Sequence, residues 1–226
     1  NVASINGFII GTSLGLTSGF TISVAQAYGA RKFDKMNKYA GNSITLAFVI
    51  GMVIMIVAHF LSRPLLKAID TPDDIIDMSA QYIDVLYYAV PIQMSLNNFN
   101  ALSRAVGDSK RPLYFLIVSV IVNLLLDILF VGAFKWGVIG AAWATAISEL
   151  VAAVLSAISV LKYTEEYNID KTALKIDGKV SWAQIKIGIP ISLQFSITSI
   201  GSMVLQTAVN GFGSSVIAGF TAAGRV

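Results

Sequence analysis

The stretch IVNLLLDILFVGAF, residues 121–134, is apolar at every position but two, Asn123 and Asp127. Those two stand four apart, so on a helix they share one face. The run is too long and too continuous for an ordinary strand, and it is apolar all round, as a lipid-crossing helix is. A carboxylate at the centre of such a helix costs about 2.5–3.5 kcal/mol on insertion scales. Asp127 must therefore turn toward protein rather than lipid, and an ionisable residue in that position marks a site by default.

The same character extends along the chain. Hydrophobic residues make up 55% of the 226 and charged ones 13%, with a mean hydropathy of +0.72. A soluble domain carries about 25% charged residues. The charges are gathered into clumps separated by runs near the roughly 20 helical residues a bilayer requires. Spans are predicted at about 2–28, 37–62, 76–105, 112–133, 138–161 and 181–210, with a seventh starting near 214. The class is all-α and polytopic. No alternating segments of about 10 residues suggest a β-barrel. Without cysteine there is no disulfide, thiolate chemistry or Cys-based metal site.

Positive charge orients the loops. The first, third and fifth, with their flanks, hold Arg31, Lys32, Lys35, Lys38, Arg104, Lys110, Arg111, Lys162, Lys171, Lys175 and Lys179. The second and fourth hold only Arg63, Lys67 and Lys135, and the second is acidic, with Asp70, Asp73, Asp74 and Asp77. Odd loops are thus cytoplasmic and even loops external. The chain opens at Asn1, already at the head of a span, with no initiator Met. The expectation is an internal piece of a longer transporter.

Several features inside the spans are more than apolar filling. Gly7, Gly11, Gly15 and Gly19 form a stripe on the first span that would let another helix approach closely. Pro91 removes a hydrogen bond within the third span and should bend it. Asn97 and Asn100 then share a face, with Arg104 one turn on, as helix glue or as the wall of a wet cavity. The fourth and fifth spans form an antiparallel hairpin. Asp127 lies about 9 Å below its external turn and Thr145 about 10 Å, at 1.5 Å per residue. Asn123 and Glu149 are level one turn deeper. A carboxylate, an amide oxygen, a hydroxyl and a second acid at Glu149 are hard oxygen ligands. They suit Na⁺, or a proton on Asp127. His59 reads as an interfacial residue and Asp84 as solvated near the external end of its helix. No nucleophile–base pair or metal-ligand cluster argues for an enzyme.

The chain also resembles the multidrug and toxic compound extrusion (MATE) family. The resemblance is carried by ISVAQAYGARKFDKM at 22–36, by LSRAVGDSKRPLY at 102–114, and by VNLLLDILFVGAFKWGVIGAAWATAISE at 122–149. It implies helices 2–6 of an amino-terminal six-helix bundle over residues 1–162, a cytoplasmic linker at 163–179, and helix 7 with part of helix 8 of a second bundle over 180–226. It implies a cation site to which Asn123, Asp127 and Thr145 correspond, with the helix-1 acid of that site lacking a counterpart here. It places the cavity asparagine at Asn100, with Tyr82 as a further lining residue. Helix 7 could present Gln194, Ser199, Ser202, Gln206 and Asn210 to the same cleft. The implied activity is export of organic, often cationic, compounds by alternating access. A Na⁺ or H⁺ gradient drives it. The implied partners are the drug, the ion and the lipid bilayer, with no nucleic acid and no cofactor beyond the ion. The implied unit is a monomer spanning the plasma membrane many times. The alternatives are a lipid-linked oligosaccharide or polysaccharide flippase of the same superfamily, which would want a cationic mid-membrane cavity, and a non-transporting membrane scaffold.

Overall fold

The computed structural model describes the backbone of residues 2–68, 73–170 and 172–210, and side chains within 10–62, 64, 80–170, 172–198 and 201. The seventh span expected from 214 lies outside the described residues. Six helices fill the rest: α1 (Val2–Gly29), α2 (Phe33–Ala68), α3 (Asp73–Ala105), α4 (Lys110–Asp127), α5 (Gly137–Ile158) and α6 (Gly178–Asn210). α4 continues as a π-helical turn over Ile128–Ala133 and α5 as another over Ser159–Tyr163. Three of the described segments, Phe33–Ser62, Lys110–Ala133 and Gly137–Tyr163, are long and apolar enough to cross a membrane.

The helices pack in a chain of neighbours. α4 lies on α5, α5 on α3, α3 on α2 and α1, and α1 on α6. α4 has almost no other partner, and Leu113, Leu116, Val120, Ile121, Leu124 and Ile128 stand exposed along it. An apolar face of that size is tolerable against acyl chains and not against water.

Small residues set the closest approaches. A Cβ at Gly15 would lie 2.6 Å from the backbone nitrogen of Ser192, and one at Gly19 would overlap the backbone of Gly188. One turn from Gly15, the Thr12 and Ser196 hydroxyls meet at 3.1 Å. Gly15 and Gly19 of that stripe therefore lie on the face that receives α6. Without a hydrophobic driving force between helices in lipid, such backbone proximity is what holds them. Helix α3 remains helical through Pro91. That proline packs against α2, where a Cβ on Gly51 would come 2.7 Å from its Cα.

The ends of α1, α2 and α6 nearest the linker are tied by polar side chains. The Asn42 amide donates to Gln184 Oε1 (2.7 Å) and Ser181 Oγ (3.1 Å), while its oxygen accepts from the Asp177 backbone N–H at 3.0 Å. Gln184 in turn donates to the carbonyls of Phe20 (3.1 Å) and Tyr39 (2.9 Å). Asn42 and Gln184 are both fully buried, so α1, α2 and α6 share one saturated network. Below it the linker crosses the bundle. Tyr167 donates to the Leu102 carbonyl at 2.9 Å, the Asn168 N–H donates to Asn37, and Lys38 pairs with Asp177 at 2.7 Å.

The joint between α3 and α4 shows what VGDSKRP encodes. Gly107 takes a left-handed φ of 90°, and the Asp108 N–H reaches back to the Ser103 carbonyl at 3.0 Å, closing α3. Asp108 Oδ1 then accepts from the N–H groups of Lys110 and Arg111, both at 3.1 Å, opening α4. Pro112 follows in the first turn, where its missing N–H costs little.

Candidate functional site

The α4–α5 hairpin turns through Phe134–Trp136, with Lys135 and Gly137 at φ 55° and 59°. Phe130, Phe134 and Trp136 stack there, the Phe130–Trp136 centroids 5.0 Å apart. Of these, Trp136 is the amphipathic ring that suits the membrane–water interface. From this turn inward, polar groups on the facing stripes meet in register. The Asn123 amide donates to Thr145 Oγ1 at 3.4 Å, and Ser119 Oγ donates to the Ser148 carbonyl at 3.1 Å. Thr145 spends its own proton on the Ala141 carbonyl (3.1 Å), so toward Asn123 its oxygen acts as an acceptor.

Asp127 lies one turn beyond Asn123 on the same stripe of α4. Its Oδ1 is buried and has no hydrogen-bond partner. Buried carboxylate oxygens are rarely left in that condition, and those that are call for a reason such as an ion or a proton. The regular helix ends at this residue, and the widened turn begins at Ile128, with the Phe134 N–H bonding back to the Leu129 carbonyl. Single π-helical turns frequently adjoin functional sites. The residues expected to form a site with Asp127 offer hard oxygens: a carboxylate, the Asn123 amide carbonyl and the Thr145 hydroxyl. That chemistry fits a proton or Na⁺.

Glu149 is set differently from the expectation that it joins this volume. Its Oε1 accepts a bond from Gln93 of α3 at 3.4 Å. Glu149, Gln93 and Thr145 line a cavity of roughly 80 Å³ with Ile10, Leu86, Ala89 and Val90. Thr145 thus stands between two polar neighbourhoods, Asn123 on the α4 side and Glu149 on the α3 side. Gln93 was not among the expected site residues, although it was legible. Gln93, Asn97, Asn100 and Arg104 fall on one stripe after Pro91.

The remaining candidates are dispersed. Asn100 Oδ1 accepts from Ser156 Oγ at 3.1 Å, which ties α3 to α5. Asn97 and Tyr82 are half-buried on α3, Arg104 is exposed, and Gln194 is exposed on α6. The side chains of Gln206, Ser199, Ser202 and Asn210 lie outside the described residues. Asn98, between two expected cavity residues, is fully buried and donates to Ser43 Oγ at 3.2 Å. Asp84 departs from the solvated position expected of it. Its Oδ1 is buried and faces His59 Nδ1 at 3.2 Å, so the acid at the end of α3 is matched by the histidine of α2.

A family profile described as MatE matches residues 2–129. The chain is 30% identical to "Probable multidrug resistance protein YoeA" of Bacillus subtilis (strain 168), over 100% of this chain and 51% of that protein. It is 24% identical to "Multidrug export protein MepA" of Staphylococcus aureus (strain MRSA252), over 93% of this chain and 46% of the relative. Among solved structures, it superposes on an inward-facing multidrug resistance MATE family transporter of the MOP superfamily. The TM-score is 0.83 at 25% identity, over 98% of this chain and 51% of that one. A crystal structure of MATE in complex with MaL6 gives a TM-score of 0.88 at 25% identity, over 97% and 49%. The chain spans about half the length of the curated relatives it matches.

Proposed function

Because the chain belongs to the MatE family, whose members are multi-pass membrane transporters, we propose that it works in the export of drug-like organic compounds by alternating access, coupled to inward movement of Na⁺ or H⁺ at Asp127. The names of the relatives, which speak of multidrug resistance and multidrug export, support the substrate class. The coupling ion is inferred from the hairpin. The observation that carries it is the buried, unpartnered Oδ1 of Asp127 one turn from the Asn123–Thr145 contact.

Ion occupancy neutralises the carboxylate. Asp127 supplies the charge, while Asn123 and Thr145 offer oxygens from the two arms of the hairpin, so the state of the acid is felt on both α4 and α5. A ligand shifts a conformational equilibrium only by its difference in affinity between the two states. Asp127 supplies that difference if one state leaves its oxygen without a partner and the other does not. The widened turn after Asp127 gives α4 a place to change its winding without disturbing the segment below. The flippase alternative would need cationic groups at mid-membrane, and Arg104, its strongest candidate, is exposed near the cytoplasmic end of α3.

In proteoliposomes, Asp127→Asn should reduce gradient-driven efflux of an organic cation at least tenfold while leaving membrane insertion intact. Imposing sodium and pH gradients separately on the wild type names the ion. Wild-type efflux by the Asn variant removes Asp127 from the mechanism.

A further inference from the structure

A second polar recess lies far from the hairpin, where the cytoplasmic ends of α1 and α2 meet α6. It encloses roughly 250 Å³ and is lined by Ser23, Gln26, Lys32, Lys35 and Tyr39, with alanines and Ile187 forming its apolar wall. Every charged group on that lining is an ammonium. The acids of the same region are sorted to the other side of α2: Asp34 and Asp170 line the adjoining cleft together with Lys38, and Lys38 is already paired with Asp177. Lys32 and Lys35 have no ion pair among the described residues, and Lys35 is steadied over the Tyr39 ring at 5.4 Å from its centroid.

Three further observations narrow the ligand. Arg31 holds a φ of 55° in the turn before Lys32, a conformation that glycine adopts without cost. Arg31 thereby adds a third cation next in sequence to Lys32. On α6, Trp182 is 64% exposed and Lys186 stands exposed one turn beyond it, the pairing of an amphipathic ring and a cation that marks the headgroup level. The size also decides. Drug-sized ligands occupy about 300–1,000 Å³, whereas a recess of this volume with cations at the rim and an apolar wall suits a phosphodiester carrying a glycerol stem. Basic pockets between helices on the cytoplasmic side bind such headgroups.

We propose that this recess seats the phosphodiester headgroup of an anionic phospholipid of the cytoplasmic leaflet. Lys32 and Lys35 hold the phosphate oxygens, Gln26 and Ser23 donate to them, and the glycerol stem lies against the alanine and Ile187 wall. The site is independent of the ion-coupling reading and stands whether or not Asp127 is coupled.

The test is a binding titration of the purified full protein in neutral, phosphate-free detergent, using short-chain phosphatidylglycerol, phosphatidylcholine and inorganic phosphate as separate probes. Wild type should prefer phosphatidylglycerol. The double variant Lys32→Gln/Lys35→Gln should lose that affinity about 30-fold, from about 1 kcal/mol per lysine near a membrane surface. Its phosphatidylcholine affinity should not change, and Lys110→Gln, at the exposed start of α4, should behave as wild type. Should the double variant fail to fold, each single variant should show about a fivefold loss, and Lys32→Arg/Lys35→Arg should retain binding. Undiminished phosphatidylglycerol binding in the folded glutamine variants overturns the proposal. So does displacement of the lipid by equimolar inorganic phosphate, which would make the recess a site for a free phosphoanion.

Discussion

Single polar side chains do two different jobs in this molecule, and burial with hydrogen-bond saturation separates them. Gln184 is fully buried and its amide is spent on two backbone carbonyls and Asn42. Removing it leaves those partners without a bond in a dry interior, at about 1–3 kcal/mol for each unsatisfied group. Gln184→Ala should therefore destabilise the protein by about 2–3 kcal/mol, read as a lowered thermal midpoint in detergent. An unchanged midpoint would show the network to be dispensable. Asp127 is the contrary case, a buried oxygen with nothing bonded to it. Its departure from the pattern was visible in the sequence, because an acid breaks the otherwise apolar run of IVNLLLDILF. Gln184 was not singled out, because a glutamine near a helix start looks the same whether it faces water or two carbonyls and an amide. The Glu149 assignment shifted for a related reason. Depth along a helix follows from residue number, but the neighbour a side chain turns toward depends on which helix packs there, and that neighbour is α3.

At the level of elements, α1 and α6 are matched by what they lack. Gly19 sits where any side chain would strike the Gly188 backbone, and Gly15 meets Ser192. Gly19→Ala should force the helices apart and sharply reduce the folded yield, whereas Gly29→Ala, with open space around it, should leave the yield unchanged. Measuring monodisperse protein recovered from membranes compares the two, and equal recovery would contradict the close approach. The four-residue glycine spacing predicted a packing face, and the charge clumps placed all six described helices. The π-helical turns after Asp127 and Ile158 had no such signal. Winding by one extra residue per turn leaves the apolar pattern almost as it was, and no proline marks either place. The Gly-Asp-x-x-x-Pro joint was legible in full, because each of its residues acts on the backbone next to it.

Across the whole molecule, the segment 164–177 crosses one end of the helices and fastens elements distant in sequence. Two of its carboxylates are held below the usual range: Asp177 chiefly by the Lys38 ammonium, then by the N–H groups of Val180 and Lys179, and Asp170 chiefly by the Thr172 hydroxyl, then by the Ala173 N–H. A depressed carboxylate contributes stability that is complete above its unfolded value, about pH 4, and is lost as pH falls through the lower folded one. Protection of 164–177 from protease should stay constant from pH 8 to pH 5 and decline only below about pH 4. In Asp177→Asn the protection should be weaker throughout and less dependent on acid. A loss of protection near neutrality would mean that another group fastens the linker. The linker was readable as a charged stretch between spans, but its attachment was not, since Asn37, Asn42 and Lys38 gain their partners only in the folded molecule.

The backbone approach of α1 to α6 has a consequence for permeability. Where two helices leave no room for a Cβ, as at Gly15 and Gly19, no water file fits between them, and the Gln184 knot nearby is saturated with protein partners. A hydrated path that opened and shut in the proposed export cycle would have to run clear of that stretch of α1 and α6.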